Sequence, residues 1–265
     1  MRFLTNALKG REPLLIDPSR AADHAETAAK AGMLEETLTL VFGKKPEPYK
    51  AGRVGVIPLR GVIGKGLSRL EALTGAADVD EFTTALEAME DDEEVEYIVV
   101  DISSPGGTVT GVEEAASMLA RSSKKTIAFT DTEAASAAYW IGAAGADRFL
   151  ATPSATVGSI GVYMAIPDYS KAFEMQGVRM DVIKSGTLKG AGIPGTSLSD
   201  AQRADLQAQV EAIHADFKAA VRGKRKMAKD EDMEGQVFSG RQAAQKGLVT
   251  GLGTSLAALI ADLNR

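Results

Sequence analysis

The sequence contains no cysteine, and this absence removes several kinds of chemistry. Disulfide bonds, a thiolate nucleophile and cysteine-ligated metals are all excluded. Histidine is almost as scarce, because the 265 residues include only His24 and His214. Neither of them lies in a metal-ligand motif. A hydrolase with this sequence would therefore have few candidates for its general base.

Long apolar runs are also missing. No segment approaches the roughly 18–20 consecutive apolar residues that a membrane-spanning helix needs. Residues 1–11 lack the apolar core of a signal peptide. The formal net charge is −6, whereas nucleic-acid-binding proteins usually carry a basic excess. These features predict a cytoplasmic protein with no membrane span and with no nucleic acid as its partner.

Residues 1–50 differ in character from the rest of the chain. The stretch 21–41 is rich in alanine and glutamate and predicts a helix, and the prolines within 44–48 predict a stiff polar linker. We interpret 1–50 as an N-terminal helical arm and linker, which serves either as a tethering extension or in handling substrate. Residues 51–265 would then form the main domain.

Strand and helix patterns alternate along this main domain. The apolar runs at 54–59 and 97–102 are continuous, as in strands that are covered on both faces. Further segments are predicted as strands at 126–130, 148–151 and 178–183, and as helices at 79–89, 112–121, 134–144 and 199–227. This order predicts an α/β fold with a mostly parallel sheet flanked by helices.

A glycine-rich turn, Ser-Ser-Pro-Gly-Gly at 103–107, follows the predicted strand 97–102 and precedes a helix. Glycines permit a sharp turn and leave backbone amides free to bind an anion, either a phosphate or a developing oxyanion. A plain strand-to-helix connection would have the same sequence, so the turn alone does not identify a site.

Ser136 lies among small residues, in the sequence Glu-Ala-Ala-Ser-Ala-Ala at 133–138. Small neighbours would let a substrate carbonyl approach its hydroxyl, and a helix N-terminus would favour negative charge nearby. A helix N-cap or a packing serine is the alternative interpretation.

Lys189 ends the sequence Lys-Ser-Gly-Thr-Leu-Lys at 184–189, after the predicted strand 178–183. A lysine acts as a base only when it is neutral, and burial among apolar groups lowers the pKa of a lysine. Leu188, Ile193 and a sheet beneath Val182 and Ile183 are the apolar walls that such burial would need. A solvated surface lysine is the alternative.

A serine hydrolase could also use His214 in a Ser-His-Asp triad. However, His214 lies in a charged helical stretch, and serine–lysine pairs are an established variant of the triad. We therefore favour the pair of Ser136 and Lys189.

Five short motifs occur in order, within a resemblance that extends over residues 54–252. They are Ser-Pro-Gly-Gly at 104–107, Ala-Ala-Ser at 134–136, Ala-Thr-Pro at 151–153 followed by Gly-Ser-Ile-Gly-Val at 158–162, the lysine motif at 184–189 and Gly-Arg-Gln-Ala-Ala at 240–244. In these motifs the chain resembles the signal peptide peptidase A family of serine proteases, especially its phage-type members that process capsid proteins. The resemblance implies a ClpP/crotonase-like fold and serine endopeptidase activity.

The resemblance implies a role for each candidate residue. Ser136 would be the nucleophile, Lys189 the general base, and Ser159 a residue that orients the lysine ammonium. The Gly107 amide would form the oxyanion hole, with the Ala137 amide as a physically reasonable second donor. A peptide is expected to add as a strand beside Gly106, Thr108, Gly158, Ile160 and Gly161. No cofactor is needed for this chemistry.

Two features depart from the family pattern. Ala137 and Ala138 stand where glycines usually follow the nucleophile, which predicts a smaller pocket. The N-terminal membrane span of the membrane-bound members has no counterpart in the sequence, which favours a role away from the membrane.

The resemblance implies peptide-bond hydrolysis through an acyl-enzyme, in a homo-oligomeric phage or prophage capsid-maturation protease. Its substrates would be scaffold or portal-associated proteins in the host cytoplasm or the procapsid. One alternative is a cytoplasmic bacterial peptidase that degrades signal peptides or protein fragments. Two others belong to different classes, namely an acyl-CoA enzyme of the crotonase type and a non-catalytic assembly scaffold.

Overall fold

A computed structural model of the chain describes residues 14–16, 45–68, 71–72 and 74–265. The described strands are β1 Leu14–Ile16, β2 Tyr49–Ala51, β3 Val54–Arg60, β4 Ile63–Gly64, β5 Ala77–Asp78, β6 Tyr97–Ser103, β7 Gly106–Thr108, β8 Lys125–Thr130, β9 Glu133–Ala135, β10 Arg148–Ala151, β11 Thr156–Gly158, β12 Val237–Ser239 and β13 Gly251–Leu252. The described helices are α1 Val79–Asp91, α2 Val112–Ala120, α3 Ala137–Trp140 (continued by a π-helical turn, Ile141–Gly145), α4 Ser170–Met175, α5 Asp200–Lys224, a 3-10 turn Asp230–Asp232, α6 Gly240–Gln245 and α7 Leu256–Leu263.

The central sheet has six strands in the order β13-β10-β8-β6-β3-β2. All neighbouring strands in it run parallel except the edge pair β2 and β3. The longest pairing joins β3 and β6, from Val54 opposite Tyr97 to Arg60 opposite Ser103. The predicted α/β fold with a mostly parallel sheet is therefore confirmed.

Apolar layers cover both faces of this sheet. One face packs against α1, α2 and α3 in a large core that includes Ile57, Val100 and Phe149. The opposite face packs against α7, where Leu259 and Leu263 contact a smaller cluster of sheet residues. This two-sided burial explains why β3 and β6 are continuously apolar rather than alternating.

Two small sheets adjoin the carboxyl ends of the central strands. One has the order β12-β11-β9, and the other has the order β1-β7-β4-β5. A parallel bridge between Ser104 and Ala134 links the end of β6 to β9. The turns that follow β6, β9 and β11 are thereby gathered in one region.

Several predicted segments differ from the structure. The predicted helix 134–144 begins only at Ala137, because residues 133–135 pair with β11 as a strand. The predicted strand 178–183 is wrong, since these residues pair with no other strand among the described residues. The boundary proposed after residue 50 falls inside the hairpin of β2 and β3.

The helix predicted over 21–41 lies outside the described residues. Within the part of the chain that is described, no helix is both long enough and apolar enough to cross a membrane.

Candidate active site

Three loops meet where β6, β9 and β11 end. In the parallel pair of β9 and β11, Ala135 lies opposite Gly158, so Ser136 and Ser159 follow at the same edge. On the other side of β9, Ala135 N donates to Ser104 O at 3.0 Å. Carboxyl ends of parallel strands are the usual place for ligands in α/β folds. The fold thus brings the predicted nucleophile, the glycine turn and Ser159 together.

Ser136 occupies a sharp turn between β9 and α3. Its backbone has φ 53° and ψ −119°, which is the conformation of the first central residue of a type II′ turn. Its N–H donates to Gly158 O at 2.8 Å, and its carbonyl accepts from Trp140 N at 2.9 Å. Such a conformation costs about 1–3 kcal/mol in a residue with a side chain and is found mainly at functional sites.

The hydroxyl of Ser136 is buried and has no hydrogen-bond partner among the described residues. The residue is 1% exposed, and Ala134, Ala135, Ala137 and Ala138 around it are fully buried. Burying a hydroxyl without a partner costs about 1–3 kcal/mol, so native folds rarely do so without a functional reason. Because its neighbours in the stretch 134–138 are alanines, the Ser136 hydroxyl is the one polar side-chain group at this turn.

The glycine turn is constrained by a close approach of β4. A Cβ added to Gly107 would lie 1.8 Å from the carbonyl oxygen of Ile63, so no larger residue fits there without moving the backbone. Gly106 has φ 101°, and its N–H donates to Ser104 Oγ at 3.1 Å. Because Ala137 is the first residue of α3, its N–H has no acceptor within the helix. The Ala137 amide therefore has to find an acceptor outside the helix, directly beside Ser136.

Ser159 is held in a similar way on the third loop. It has φ 54°, and among the described residues only Ser136 and Ser159 combine a side chain with a positive φ. Ser159 N donates to Gln236 O at 2.7 Å. Gly158 has φ 124°, and a Cβ there would lie 2.7 Å from the same carbonyl oxygen. Strain is thus concentrated at the two serines that the motifs single out.

His214 stabilises the loop after β11, which carries Ser159, through hydrogen bonds to two backbone carbonyls. Its Nε2 lies 3.1 Å from Ile160 O and 2.8 Å from Met233 O. Both partners are carbonyl oxygens, so this nitrogen carries a proton and donates. The sequence offered His214 only as an alternative catalytic base. In the structure, its two hydrogen bonds hold the residues after Ser159 in place.

The helix that follows Ser136, α3, is anchored by two buried polar residues that the sequence did not indicate. The Tyr139 hydroxyl donates to Leu248 O at 2.7 Å, and its burial raises the pKa of this phenol. The Arg225 guanidinium donates to Ala146 O at 2.9 Å just beyond the π-helical turn, and its burial lowers the pKa of that group. Trp140 stacks on Phe217 with ring centroids 4.5 Å apart. These contacts hold α3 and its π-helical turn against the core.

Lys189 makes no hydrogen bond to Ser136 within the described residues, and it lies on the exposed segment that precedes α5. Its exposure corrects the expectation that apolar walls bury it within the chain. Of the four expected walls, Ile193 is half-buried, and the others are exposed, namely Leu188, Val182 and Ile183. Gln202 Nε2, at the start of α5, donates to the carbonyls of Leu188 and Lys189 at 3.2 and 3.4 Å. The lysine segment is therefore tied to the N-terminus of α5.

None of the residues from 161 to 200 is buried, and most of them are exposed. The exposed apolar side chains of this stretch include Met175, Val178, Met180 and Val182. Exposed apolar patches of this kind mark interaction surfaces. Within the described residues, no cluster of His, Asp or Glu side chains is arranged to bind a metal ion.

Comparison with known proteins identifies a family model, "Peptidase family S49", that matches residues 118–262. The matched region includes Ser136, Ser159 and Lys189. Capsid assembly protease C of Escherichia phage lambda is 31% identical over 210 residues, which cover 78% of this chain and 48% of that protein. Head-tail preconnector protein GP5 of Enterobacteria phage P21 is 30% identical over 82% of this chain and 44% of that protein.

The chain spans about half the length of these curated relatives. Among solved structures, an enoyl-CoA hydratase from Shewanella pealeana is similar, with a TM-score of 0.48 and 12% identity over 88% of this chain and 76% of that one.

Proposed function

The chain belongs to peptidase family S49, and we propose that it is a serine endopeptidase whose nucleophile is Ser136. The observation that carries the proposal is the state of this serine. Its backbone is held at positive φ, and its hydroxyl is buried without a hydrogen-bond partner between two loops that offer backbone amides. A structural serine would gain nothing from either feature, since both destabilise the fold.

The proposed reaction proceeds through an acyl-enzyme. Ser136 Oγ attacks the peptide carbonyl carbon while a base takes its proton, and the carbonyl oxygen becomes an oxyanion. The amides of Gly107 and Ala137 would stabilise that oxyanion. The proton then passes to the leaving amine as the C–N bond breaks, and water hydrolyses the ester between the acyl group and Ser136.

Lys189 is the proposed base, and a neighbouring copy of the chain is its proposed source. Three observations support this arrangement. Ser136 Oγ lacks a partner, Lys189 is exposed, and the segment that carries Lys189 displays apolar side chains that this chain leaves uncovered. Packing of the 161–200 segment on another copy would bury these side chains and desolvate the lysine, which favours its neutral form. Ser159 would then orient the ammonium.

Capsid-associated proteins are the proposed substrates. The support comes from the relatives' names, which describe a capsid assembly protease and a head-tail preconnector protein of two phages. We extend this role to the present chain as a phage or prophage protease that processes scaffold or portal-associated proteins during capsid assembly. The peptide would bind as a strand against β7, with Gly158, Ile160 and Gly161 on the other side of the cleft.

Replacement of the nucleophile tests the proposal directly. Ser136→Ala should abolish cleavage of a fluorogenic peptide and labelling by a fluorophosphonate, whereas the matched variant Ser117→Ala, on α2 away from the site, should retain both. Circular dichroism would establish that both variants fold. Cleavage or labelling at the parent level in Ser136→Ala would refute the assignment.

Complementation tests whether Lys189 is shared between copies. Ser136→Ala and Lys189→Ala chains are each expected to be inactive. When they are co-expressed in equal amounts, a site needs an intact serine from one chain and an intact lysine from another. Random assembly then restores about one quarter of the parent activity per site, because each requirement is met with a probability of about one half. Absence of any recovery would show that the lysine does not come from a neighbour.

A further inference from the structure

One edge of the proposed peptide-binding strand is already occupied by a segment of this same chain. Strand β7 has β4 on one side, where Ile63 pairs with Gly107. On its other side, Leu14–Ile16 runs antiparallel, with Leu14 opposite Thr108, Leu15 opposite Gly107 and Ile16 opposite Gly106. The N-terminal segment thus takes the position that a bound peptide would take in β-strand addition.

We propose that Leu14–Ile16 is a built-in competitor that substrate must displace from β7. Leu15 lies opposite Gly107, whose amide is a proposed oxyanion donor, so a strand in this register occupies the β7 edge that a substrate strand would need. Its sequence, Leu-Leu-Ile, is aliphatic throughout. The inference rests on the proposed peptidase function, because it takes the β7 edge to be the substrate edge.

The pairing is short enough to be displaced. Both β1 and β7 contain three residues. In the sequence, Pro13 and Pro18 flank the segment, and proline has no N–H to extend the ladder. A longer peptide could therefore make more main-chain hydrogen bonds than the chain's own segment. Against this, a tethered segment acts at an effective concentration on the order of mM, so it competes well with dilute peptide.

The test uses the full chain with two successive prolines, Leu14→Pro together with Leu15→Pro. In an antiparallel pair every second residue directs its N–H at the partner strand, so two adjacent prolines remove a ladder donor whichever residue supplies it. The matched control is Ala7→Pro together with Leu8→Pro, which places two prolines in the same arm outside the paired residues. Both are made in the Ser136→Ala background so that no probe is cleaved.

The main measurement is the fluorescence anisotropy of a labelled peptide that carries the sequence of residues 11–19. If the short strand alone binds with a Kd on the order of 0.1 mM, a tethered copy at about 1 mM weakens peptide binding about tenfold. The Leu14/Leu15 variant should therefore bind the peptide about tenfold more tightly than the control. Hydrogen exchange should also become faster at the β7 amides that β1 protects.

Equal peptide affinities in the two proline variants would overturn the proposal. Faster exchange at β7 without tighter peptide binding would also overturn it, since β1 would then be a structural strand that does not compete. Chains that retain Ser136 give a second readout, in which the proposal requires a lower KM at unchanged kcat. If no chain cleaves peptides, the proposed peptidase function fails, while the binding comparison in the Ser136→Ala background still decides whether the segment competes.

Discussion

The strained and unpartnered state of Ser136 leads to a prediction about stability as well as activity. Ser136→Ala removes a buried hydroxyl that has no hydrogen-bond partner, and it adds no new polar group. Burial of such a hydroxyl costs about 1–3 kcal/mol, so the free energy of unfolding should rise by about that amount. The inactive variant should therefore be more stable than the parent.

Ser136→Gly should stabilise the chain further. Alanine keeps the cost of φ 53°, about 1–3 kcal/mol, whereas glycine adopts this conformation without strain. Glycine also gives the unfolded chain more freedom, which costs about 0.4–1 kcal/mol. The net gain of glycine over alanine is then about 0–2.6 kcal/mol.

The matched control is Ser104→Ala in the same region. The Ser104 hydroxyl is also buried, but it accepts a hydrogen bond from Gly106 N at 3.1 Å. Its removal leaves that amide without its partner and should destabilise the protein by about 1–3 kcal/mol. The two changes from serine to alanine at buried sites are thus expected to shift the free energy of unfolding in opposite directions.

Urea unfolding followed by circular dichroism gives the comparison, with all variants at one protein concentration because assembly would shift the apparent stability. In thermal unfolding, each 1 kcal/mol should move Tm by roughly 2 °C for a chain of this size. If Ser136→Ala loses about as much stability as Ser104→Ala, the claim that the Ser136 hydroxyl has no hydrogen-bond partner is refuted. If Ser136→Gly is less stable than Ser136→Ala by more than about 1 kcal/mol, the claim that the backbone at residue 136 is strained is refuted.

Three further predictions concern the surrounding residues. Lys189→Arg should be nearly inactive in peptide cleavage, because a guanidinium stays charged and cannot accept the serine proton; full activity in this variant would exclude the lysine as the base. His214→Ala should lower the free energy of unfolding by about 1–3 kcal/mol because two carbonyls lose their donor, and His214→Gln should recover part of it; an inactive alanine variant with parental stability would instead indicate a catalytic histidine. Gly107→Ala should lose both activity and stability, since its Cβ would lie 1.8 Å from Ile63 O, and a folded, active variant in the same assays would contradict the described turn.

Much of the fold could be predicted from the sequence, because its main elements are encoded locally. The continuous apolar runs of β3 and β6 and the helical spacing of α1 and α5 each identify an element without knowledge of its partners. The residues of the candidate site could also be predicted, since short motifs around Ser136 and Ser159 survive as sequence patterns.

Other features depended on contacts between distant parts of the chain. Residues 133–135 have alanine-rich, helix-favouring sequence, yet pairing with β11 makes them a strand and sets the turn at Ser136. Conversely, 178–183 has a strand-like sequence but no partner strand among the described residues. Local propensity is worth a few tenths of a kcal/mol per residue, so tertiary pairing readily overrides it.

The sequence by itself determined the α/β class, the family and the identities of the candidate catalytic residues. Only the tertiary structure decided that Ser136 and Ser159 share one edge, that both have positive φ, that His214 clamps a loop, and that Lys189 lies on an exposed segment. The reason is that composition and periodicity report which face of an element is apolar. Register, backbone strain and the unpaired state of a hydroxyl arise only when segments far apart in the chain pack together.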